Sequence, residues 1–208
     1  MENYQSIVAF YEGCFEKFGD NHNGLHWPNL PDLVRRYDVM LGVVRETGKE
    51  ETTLLDFGCG TAMFYEHMLK KNAPPKIKYS GLDLSPKFVD FCKKKFPEVD
   101  FYCLDILKNP NALGTFDYII MNGVFTEKLD LPFSDMLDYF QRMAAAVFSK
   151  VRIGMAFNVM SKQVDWEKDF LFHLPLDTLA FFLTRELSRN FIIRNDYGLY
   201  EYTTYVYK

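Results

Sequence analysis

The chain has 208 residues, 48% of which are apolar, and its formal net charge at pH 7 is −4. This length and apolar content predict a globular domain with a substantial core and exclude a disordered protein. The weak negative charge excludes a general attraction to nucleic acid. The N-terminus has no basic start and no long apolar run, so we expect neither a signal peptide nor a membrane partner.

The four cysteines lack the spacing of a metal site or of a redox pair. They stand at positions Cys14, Cys59, Cys92 and Cys103. They therefore predict reduced, mostly buried thiols in a cytoplasmic protein. Histidines and acids do not cluster along the chain either, so we expect no metal.

Two helices are predicted before the first strand. Apolar residues recur at helical spacing over residues 4–18 and again from Leu33 to Val44. Residues 19–31 lie between them and are rich in turn formers, which predicts a loop. We expect residues 1–50 to form a helical lid on a core of residues 51–208, and residues 1–208 to form a single domain.

The rest of the chain alternates between strand patterns and helix patterns. Strands are predicted near 52–58, 78–84, 99–105, 116–122 and 151–159, and helices near 61–72, 86–96, 133–148 and 176–190. The segment Ala73-Pro74-Pro75 ends the first of these helices. Ser85 is predicted to cap the next helix, with Pro86 at its first position.

The stretch from Leu54 to Thr61 predicts a buried strand, a tight turn and the start of a helix. Gly58 and Gly60 let the backbone turn sharply and let a ligand approach without a Cβ in the way. A dinucleotide-binding fingerprint would carry a third glycine three residues later. Met63 stands there instead, which argues against a Rossmann dehydrogenase.

Two later strand patterns also end in a carboxylate. Asp83 closes the second strand pattern and Asp105 closes the third, as Asp56 lies near the end of the first. Because the carboxyl ends of parallel strands meet at one edge of a sheet, we expect these three acids to face a common crevice.

Taken together, these segments resemble the class I S-adenosylmethionine-dependent methyltransferases. The matching residues are Asp56-x-Gly58-x-Gly60, Gly81-Leu82-Asp83-Leu84-Ser85 and Leu104-Asp105-Ile106. The resemblance implies a Rossmann-like, doubly wound α/β fold with a seven-stranded, mostly parallel sheet in the order 3-2-1-4-5-7-6. It also implies S-adenosylmethionine as cofactor and S-adenosylhomocysteine as product.

The C-terminal pattern agrees with such a fold. Residues 191–193 and 200–207 are strand-like and flank the turn formers of residues 195–198, which predicts a hairpin. A mostly parallel sheet that closes with an antiparallel hairpin is what the resemblance implies.

The resemblance assigns Asp83 to the ribose hydroxyls and Asp105, with Ile106, to the adenine. Further cofactor contacts are implied for Asp56, Gly58, Cys59, Gly60, Leu84 and Asn122. The residues alone leave alternatives open. Asp83 could cap a helix, Asp105 could be a loop acid, and Asp56 could simply hold the turn.

Trp27 and Arg36 are similar to a Trp and an Arg that precede the first strand in a subset of small class I enzymes. There the two side chains lie against the methionine part of the cofactor. Arg36 could bind the cofactor's carboxylate as a two-pronged donor. Its alternative is an ion pair on the surface of a helix.

The fourth strand pattern ends in Asn122-Gly123. Enzymes that methylate amino groups of DNA bases or glutamine carry Asn or Asp followed by two prolines and an aromatic residue at this place, and this chain lacks the prolines. Oxygen is therefore the first choice for the methylated atom. Asn122 is still expected near the sulfonium of the cofactor.

Residues 161–174 form a connection that is long for a strand–helix loop, and such loops build substrate pockets. His173 in this loop and His26 beside Trp27 are candidate general bases, although a lone histidine is more often structural. The aromatic residues of the lid and the loop favour a moderately apolar or sugar-like acceptor.

The sequence thus predicts methyl transfer to a small molecule, on oxygen, by in-line displacement. Methylation of protein or RNA is one alternative, and non-catalytic binding of S-adenosylmethionine or S-adenosylhomocysteine is another. The run Lys93–Lys95 is expected to be solvated rather than to bind nucleic acid. The oligomeric state is left open.

Overall fold

A mixed β-sheet of eight strands forms the centre of the computed structural model, which describes residues 4–46, 48–71 and 76–208. The strands are β1 (Thr52–Phe57), β2 (Ile77–Asp83), β3 (Asp100–Cys103), β4 (Phe116–Phe125), β5 (Val151–Ser161), β6 (His173–Leu174), β7 (Phe191–Arg194) and β8 (Glu201–Tyr207). The predicted segment Ala73-Pro74-Pro75 lies outside the described residues. Among the described residues, no helix is long and apolar enough to cross a lipid bilayer.

The strand order is β3-β2-β1-β4-β5-β8-β7. The first five of these strands run parallel, and β8 runs antiparallel to both β5 and β7. The predicted order and the C-terminal hairpin are therefore confirmed. The sequence analysis missed β6, which pairs with the end of β5 through only two residues and is too short to carry a pattern.

In the described ranges, six α-helices surround the sheet. They are α1 (Gln5–Phe18), α2 (Leu30–Leu41), α3 (Met63–Lys70), α4 (Pro86–Lys95), α5 (Phe133–Phe148) and α6 (Leu176–Phe182), which continues as a π-helical turn over Leu183–Leu187. The predicted cap of α4 is present, since the Ser85 hydroxyl accepts the Phe88 N–H at 3.3 Å. Helix α3 begins two residues later than predicted because Ala62 adopts a left-handed backbone conformation with φ of 59°.

The two faces of the sheet bury separate apolar cores. Successive strand residues point to opposite faces, so Leu55 packs in the core shared with α5 and α6, and Leu54 packs in the core shared with α2, α3 and α4. This arrangement of helices on both faces is the doubly wound architecture that the sequence predicts.

The two N-terminal helices differ in how they are held. Helix α2 buries Leu33 and Met40 completely, and the Tyr205 hydroxyl donates to the Val39 carbonyl, so α2 is part of the core. Helix α1 has no fully buried residue. Its Ile7, Val8 and Tyr11 line a cavity, while Phe15 packs on Phe88. A lid formed by residues 1–50 stays a prediction.

Candidate functional site

The turn after β1 is built around two glycines with positive φ, 78° at Gly58 and 53° at Gly60. The N–H groups of Gly58 and Cys59 both donate to the Leu82 carbonyl, at 2.7 and 3.0 Å, which ties the turn to β2. A Cβ on Gly58 would lie 2.8 Å from Val124. Glycine is therefore required here by both backbone conformation and space.

Asp83, at the end of β2, fixes this turn through its carboxylate. Its carboxylate accepts the Gly60 N–H and the Ser85 N–H, each at 2.9 Å. Burial raises the pKa of Asp83 to about 6, and the hydrogen bonds from Ser85 and Gly60 oppose that rise. The carboxylate also lies on the wall of a cavity, so it connects the turn to whatever the cavity binds.

The cavity has a volume of about 820 Å³, which includes space that is continuous with solvent. It lies at the carboxyl edge of the sheet. The strand ends and the glycine turn supply Phe57, Gly58, Gly60, Leu82, Asp83, Leu84, Asn122, Gly123 and Val124, and α1 with its following loop supplies Tyr4, Ile7, Val8, Tyr11, Leu25 and Trp27. The ligand space is thus enclosed between the sheet edge and α1.

Asn122 offers an unused acceptor in this cavity. Its buried Oδ1 atom has no hydrogen-bond partner among the described residues. A buried polar atom of this kind is costly unless a ligand or water satisfies it. The neighbouring Gly123 lies directly under Trp27, since a Cβ on Gly123 would be 2.6 Å from Trp27 Cζ2.

The Trp27 ring packs against Arg36, which is the first member of a chain of hydrogen bonds. The Arg36 guanidinium carbon is 4.5 Å from the Trp27 ring centroid, and Arg36 Nε donates to Glu201 Oε2 at 2.8 Å. Glu201 accepts from Asn158 Nδ2 at 3.1 Å, and Asn158 Oδ1 accepts the Gly123 N–H at 2.8 Å. Helix α2 is thereby connected to the cavity wall.

Comparison with known proteins supports one family. Residues 55–147, from β1 to the end of α5, match the family model described as "Methyltransferase domain". A putative methyltransferase of Mycobacterium tuberculosis is 25% identical over 158 residues, which are 74% of this chain and 91% of that protein. A malonyl-[acyl-carrier protein] O-methyltransferase of Ilyobacter polytropus is 31% identical over 48% of this chain and 39% of its own length.

A solved structure has the same fold over the full chain. The magnesium protoporphyrin IX methyltransferase of Synechocystis PCC 6803, crystallised with S-adenosylmethionine, gives a TM-score of 0.67 at 13% identity. The superposition covers 100% of this chain and 98% of that one. Together, these findings support a class I S-adenosylmethionine-dependent methyltransferase with a Rossmann-like fold.

The methyltransferase uses S-adenosylmethionine as methyl donor and releases S-adenosylhomocysteine, and its cavity fits such a molecule. The glycine turn admits close approach of a ligand, Asp83 presents a carboxylate, and Asn122 Oδ1 lacks a donor among the described side chains and backbone groups. Trp27, Leu84 and Gly60 also line this cavity. The roles predicted for these residues stay predictions, but the structure brings them together.

Several predicted cofactor residues face away from the cavity. Asp56 accepts the Tyr79 hydroxyl at 2.9 Å, and burial raises its pKa to about 7. Cys59 points toward Gly81, where an added Cβ would lie 2.9 Å from its Sγ, and Ile106 is fully buried. Contacts of these three residues with a cofactor would have to come from the backbone. Arg36 is not among the cavity-lining residues either, so its predicted pairing with the cofactor carboxylate stays a prediction.

Asp105 lines a neighbouring cavity of about 810 Å³, which shares Tyr4, Val8 and Leu84 with the first. Its Oδ2 atom accepts the Tyr4 hydroxyl at 2.6 Å. Burial raises the pKa of Asp105, but the hydrogen bonds from Tyr4 and Lys108 hold it below its usual value. The start of α1 therefore already occupies the carboxylate that was predicted to bind adenine.

The two candidate bases have different surroundings. His173 is buried, its Nδ1 donates to the Ser161 carbonyl at 2.6 Å, and its Nε2 accepts the Lys168 N–H at 3.3 Å. Both nitrogens are used by the backbone, so the geometry gives His173 a structural role in fixing its loop. His26 instead contacts the buried Glu127, with Nδ1 and Oε1 2.7 Å apart.

Sequence analysis missed Tyr4, Tyr11 and Glu127. Both tyrosines lie in the helix predicted over residues 4–18, and the apolar spacing that predicts this helix gives no sign of a role for their hydroxyl groups. Glu127 is 101 residues from His26, and no local pattern links the two. Within the described part of the chain, no group of three or more His, Cys, Asp or Glu residues could hold a metal ion.

Proposed function

We propose that this methyltransferase transfers a methyl group from S-adenosylmethionine to an oxygen atom of a small molecule by in-line displacement. The observation that carries the proposal is the enclosed cavity between the glycine turn, Asp83 and α1. Bound there, the sulfonium cofactor supplies an activated methyl group. The protein then has to orient the two reactants and exclude water.

Several residues are proposed to hold the cofactor. Asp83 would accept the ribose hydroxyls, and Asn122 Oδ1 would accept a hydrogen bond from the cofactor. Asp105 would accept the adenine amine beside the Tyr4 hydroxyl. Trp27, supported by Arg36, would lie against the methionine part.

The enclosure favours a small acceptor. Ile7, Val8 and Tyr11 of α1 cover the cavity, which leaves space for a ligand but not for a folded macromolecule. The similarity to a magnesium protoporphyrin IX methyltransferase supports a small acceptor, and the similarity to a malonyl-[acyl-carrier protein] O-methyltransferase supports oxygen as the methylated atom. Oxygen is further favoured by the absence of two prolines after Asn122.

We assign the activity to the cytoplasm. All four cysteines are free thiols. Free thiols are typical of proteins in a reducing compartment.

The test combines binding and transfer. Calorimetry should detect S-adenosylhomocysteine binding, and S-adenosylmethionine with an isotopically labelled methyl group should label the small-molecule fraction of a source-cell extract. Label in protein or RNA alone would replace the proposed acceptor class. Binding without any labelled product would favour a protein that only binds the cofactor.

A further inference from the structure

A polar cluster lies just beyond the end of β4, beside the cavity. Glu127 Oε1 contacts His26 Nδ1, and only 9% of the Glu127 side chain is exposed. The second oxygen, Oε2, is buried and has no partner among the described residues. Burial raises the pKa of Glu127, and His26 opposes that rise. A buried carboxylate with one open oxygen is expected at a site that binds or moves a proton.

The backbone of His26 is held in an unusual conformation to make this contact. Its φ of 56° is in the left-handed region, which residues with a Cβ rarely adopt. Such strain concentrates at functional sites. The ring packs edge-on against Phe10 of α1, with ring centroids 4.8 Å apart. Both neighbours of His26, Leu25 and Trp27, line the cavity.

Tyr11 and Thr126 connect the cluster to the cavity. Tyr11 lines the cavity, and burial together with the nearby Glu127 carboxylate raises the pKa of its hydroxyl, while a hydrogen bond with Thr126 opposes this. The Thr126 hydroxyl donates to the carbonyl of Gly123, a cavity residue, at 3.1 Å. The cluster is therefore one residue layer away from the ligand space.

We infer that His26 is the base that takes the proton from a hydroxyl group of the acceptor, and that Glu127 is the positioning residue that fixes the His26 tautomer. The inference rests on the proposed function. Glu127 accepts the Nδ1–H of His26, which leaves Nε2 as the proton acceptor. Among residues 4–46, 48–71 and 76–208, His26 Nε2 has no hydrogen-bond partner.

In the step itself, the acceptor oxygen forms a bond to the methyl carbon while the carbon–sulfur bond of S-adenosylmethionine breaks. The bonding pair stays on sulfur and gives neutral S-adenosylhomocysteine. The hydroxyl proton moves to His26 Nε2 through one bridging water, because His26 does not itself line the cavity, and the protonated ring is stabilised by the Glu127 carboxylate until bulk water removes the proton. The group that loses the proton is a hydroxyl, so the acceptor class is a hydroxylated small molecule.

The decisive variant is His26→Gly. Glycine adopts a φ of 56° without strain, so this variant should fold and should bind S-adenosylhomocysteine within about twofold of the unchanged protein. Transfer of labelled methyl to the small-molecule fraction should fall about 100-fold or more. Added imidazole should restore at least about a tenth of the lost rate, because a free ring can enter the vacated space. His67→Gln, remote on α3, is the matched control.

Glu127→Gln tests the positioning role. It should lower kcat with little change in KM, and Glu127→Asp should recover part of the loss. Nitrogen NMR of His26 with S-adenosylhomocysteine bound should find the proton on Nδ1 in the unchanged protein and on both nitrogens, in a mixture, in Glu127→Gln. A single tautomer in both proteins would remove Glu127 from the proposal.

The outcomes of these experiments distinguish a failure of the proposed function from a failure of His26 as the base. Absence of transfer by the unchanged protein, despite cofactor binding, would overturn the proposed function and the base with it. Transfer by His26→Gly at more than half the normal rate would overturn only the base. A methyl group found on nitrogen or carbon of the product would overturn the hydroxylated acceptor.

Discussion

Asp83 serves two purposes in the methyltransferase. Its carboxylate already accepts two backbone N–H groups, from Gly60 and Ser85, and it still faces the cavity. A carboxylate has lone pairs for further donors, so the same group can hold the glycine turn and bind a ribose. Any substitution at Asp83 must therefore be tested for both effects.

We expect Asp83→Asn to weaken S-adenosylhomocysteine binding by about 1.5–3 kcal/mol, because hydrogen bonds to a charged acceptor are lost. Calorimetry with S-adenosylhomocysteine and its 2′-deoxy analogue separates the two purposes of Asp83. The unchanged protein should prefer the intact ribose, and the variant should bind both ligands alike. A preserved preference for the 2′-hydroxyl would contradict the ribose assignment. Asp90→Asn on the exposed face of α4 is the control.

Asp56 should make stability depend on pH. Its pKa is about 7 in the folded protein, against roughly 3.9 when unfolded, so between these values the folded state binds more protons. The free energy of unfolding should therefore fall as pH rises from about 4 to about 7, by at most about 4 kcal/mol from this group. Asp56→Asn should flatten this fall, as measured by urea denaturation across that range. Equal slopes in both proteins would contradict the prediction. The pKa of Asp83 is also raised, so Asp83 adds a fall of the same sign to the free energy of unfolding of both proteins.

The positions of individual site residues could be predicted where a short stretch of sequence carries the signal. The glycines and Asp83 each stand in a short local pattern, and the structure brings the two patterns to one cavity. Glu127 had no such signal, because its contact with His26 depends on a left-handed backbone far away in the chain. His173 was chosen by residue type, but its environment supplies backbone partners to both nitrogens.

At the scale of elements, α1 is the least anchored helix at the site. It buries no residue completely, and it is attached by ring contacts of Phe15 with Phe88 and by polar side chains. Tyr4 donates to Asp105, Glu12 accepts from Ser85, and Glu16 accepts from Lys87. A helix held by such contacts can open without unfolding the sheet.

Tyr4→Phe should loosen α1 while the ring still stacks on Tyr139, 5.1 Å away. Loss of a hydrogen bond to a carboxylate, about 1.5 kcal/mol or more, should speed amide hydrogen exchange in residues 5–18 by about tenfold. Exchange in β1 and β4 should stay unchanged. Equal exchange of α1 in both proteins would mean that the Tyr4 hydroxyl does not hold the helix. Tyr102→Phe, on the exposed side of β3, is the control.

The elements themselves were predicted well where periodicity is strong, as in α5, whose predicted and observed bounds coincide at residues 133–148. Helix α2 lies in the segment predicted as a lid, and the structure shows that its Leu33 and Met40 are fully buried. Periodicity identifies the apolar face of a helix, and it does not identify what that face covers.

At the scale of the whole molecule, one buried chain of hydrogen bonds joins α2, β8, β5 and the end of β4. Its members are Arg36, Glu201, Asn158 and Gly123. The Glu201 side chain is 1% exposed and that of Arg36 is 13% exposed, so neither charge is well solvated. Removal of one charge would leave the other buried without its partner.

Glu201→Gln should therefore lower the free energy of unfolding by about 3 kcal/mol in urea denaturation. The double variant Arg36→Leu with Glu201→Leu should be less destabilised than the sum of the two single variants, because no charge is then left unpaired. Glu98→Gln, at an exposed position, should have little effect. A loss at Glu201 no larger than at Glu98 would contradict the importance of the chain.

The position of β8 also affects how the protein is made. This strand follows the others in the sequence, yet it is inserted between β5 and β7 and all seven of its residues are buried. As the chain leaves the ribosome, β5 therefore presents an unpaired apolar edge until residues 201–207 have emerged. Such an edge can pair with a neighbouring nascent chain. Synthesis of this methyltransferase should thus depend on chaperones more than its finished stability would suggest.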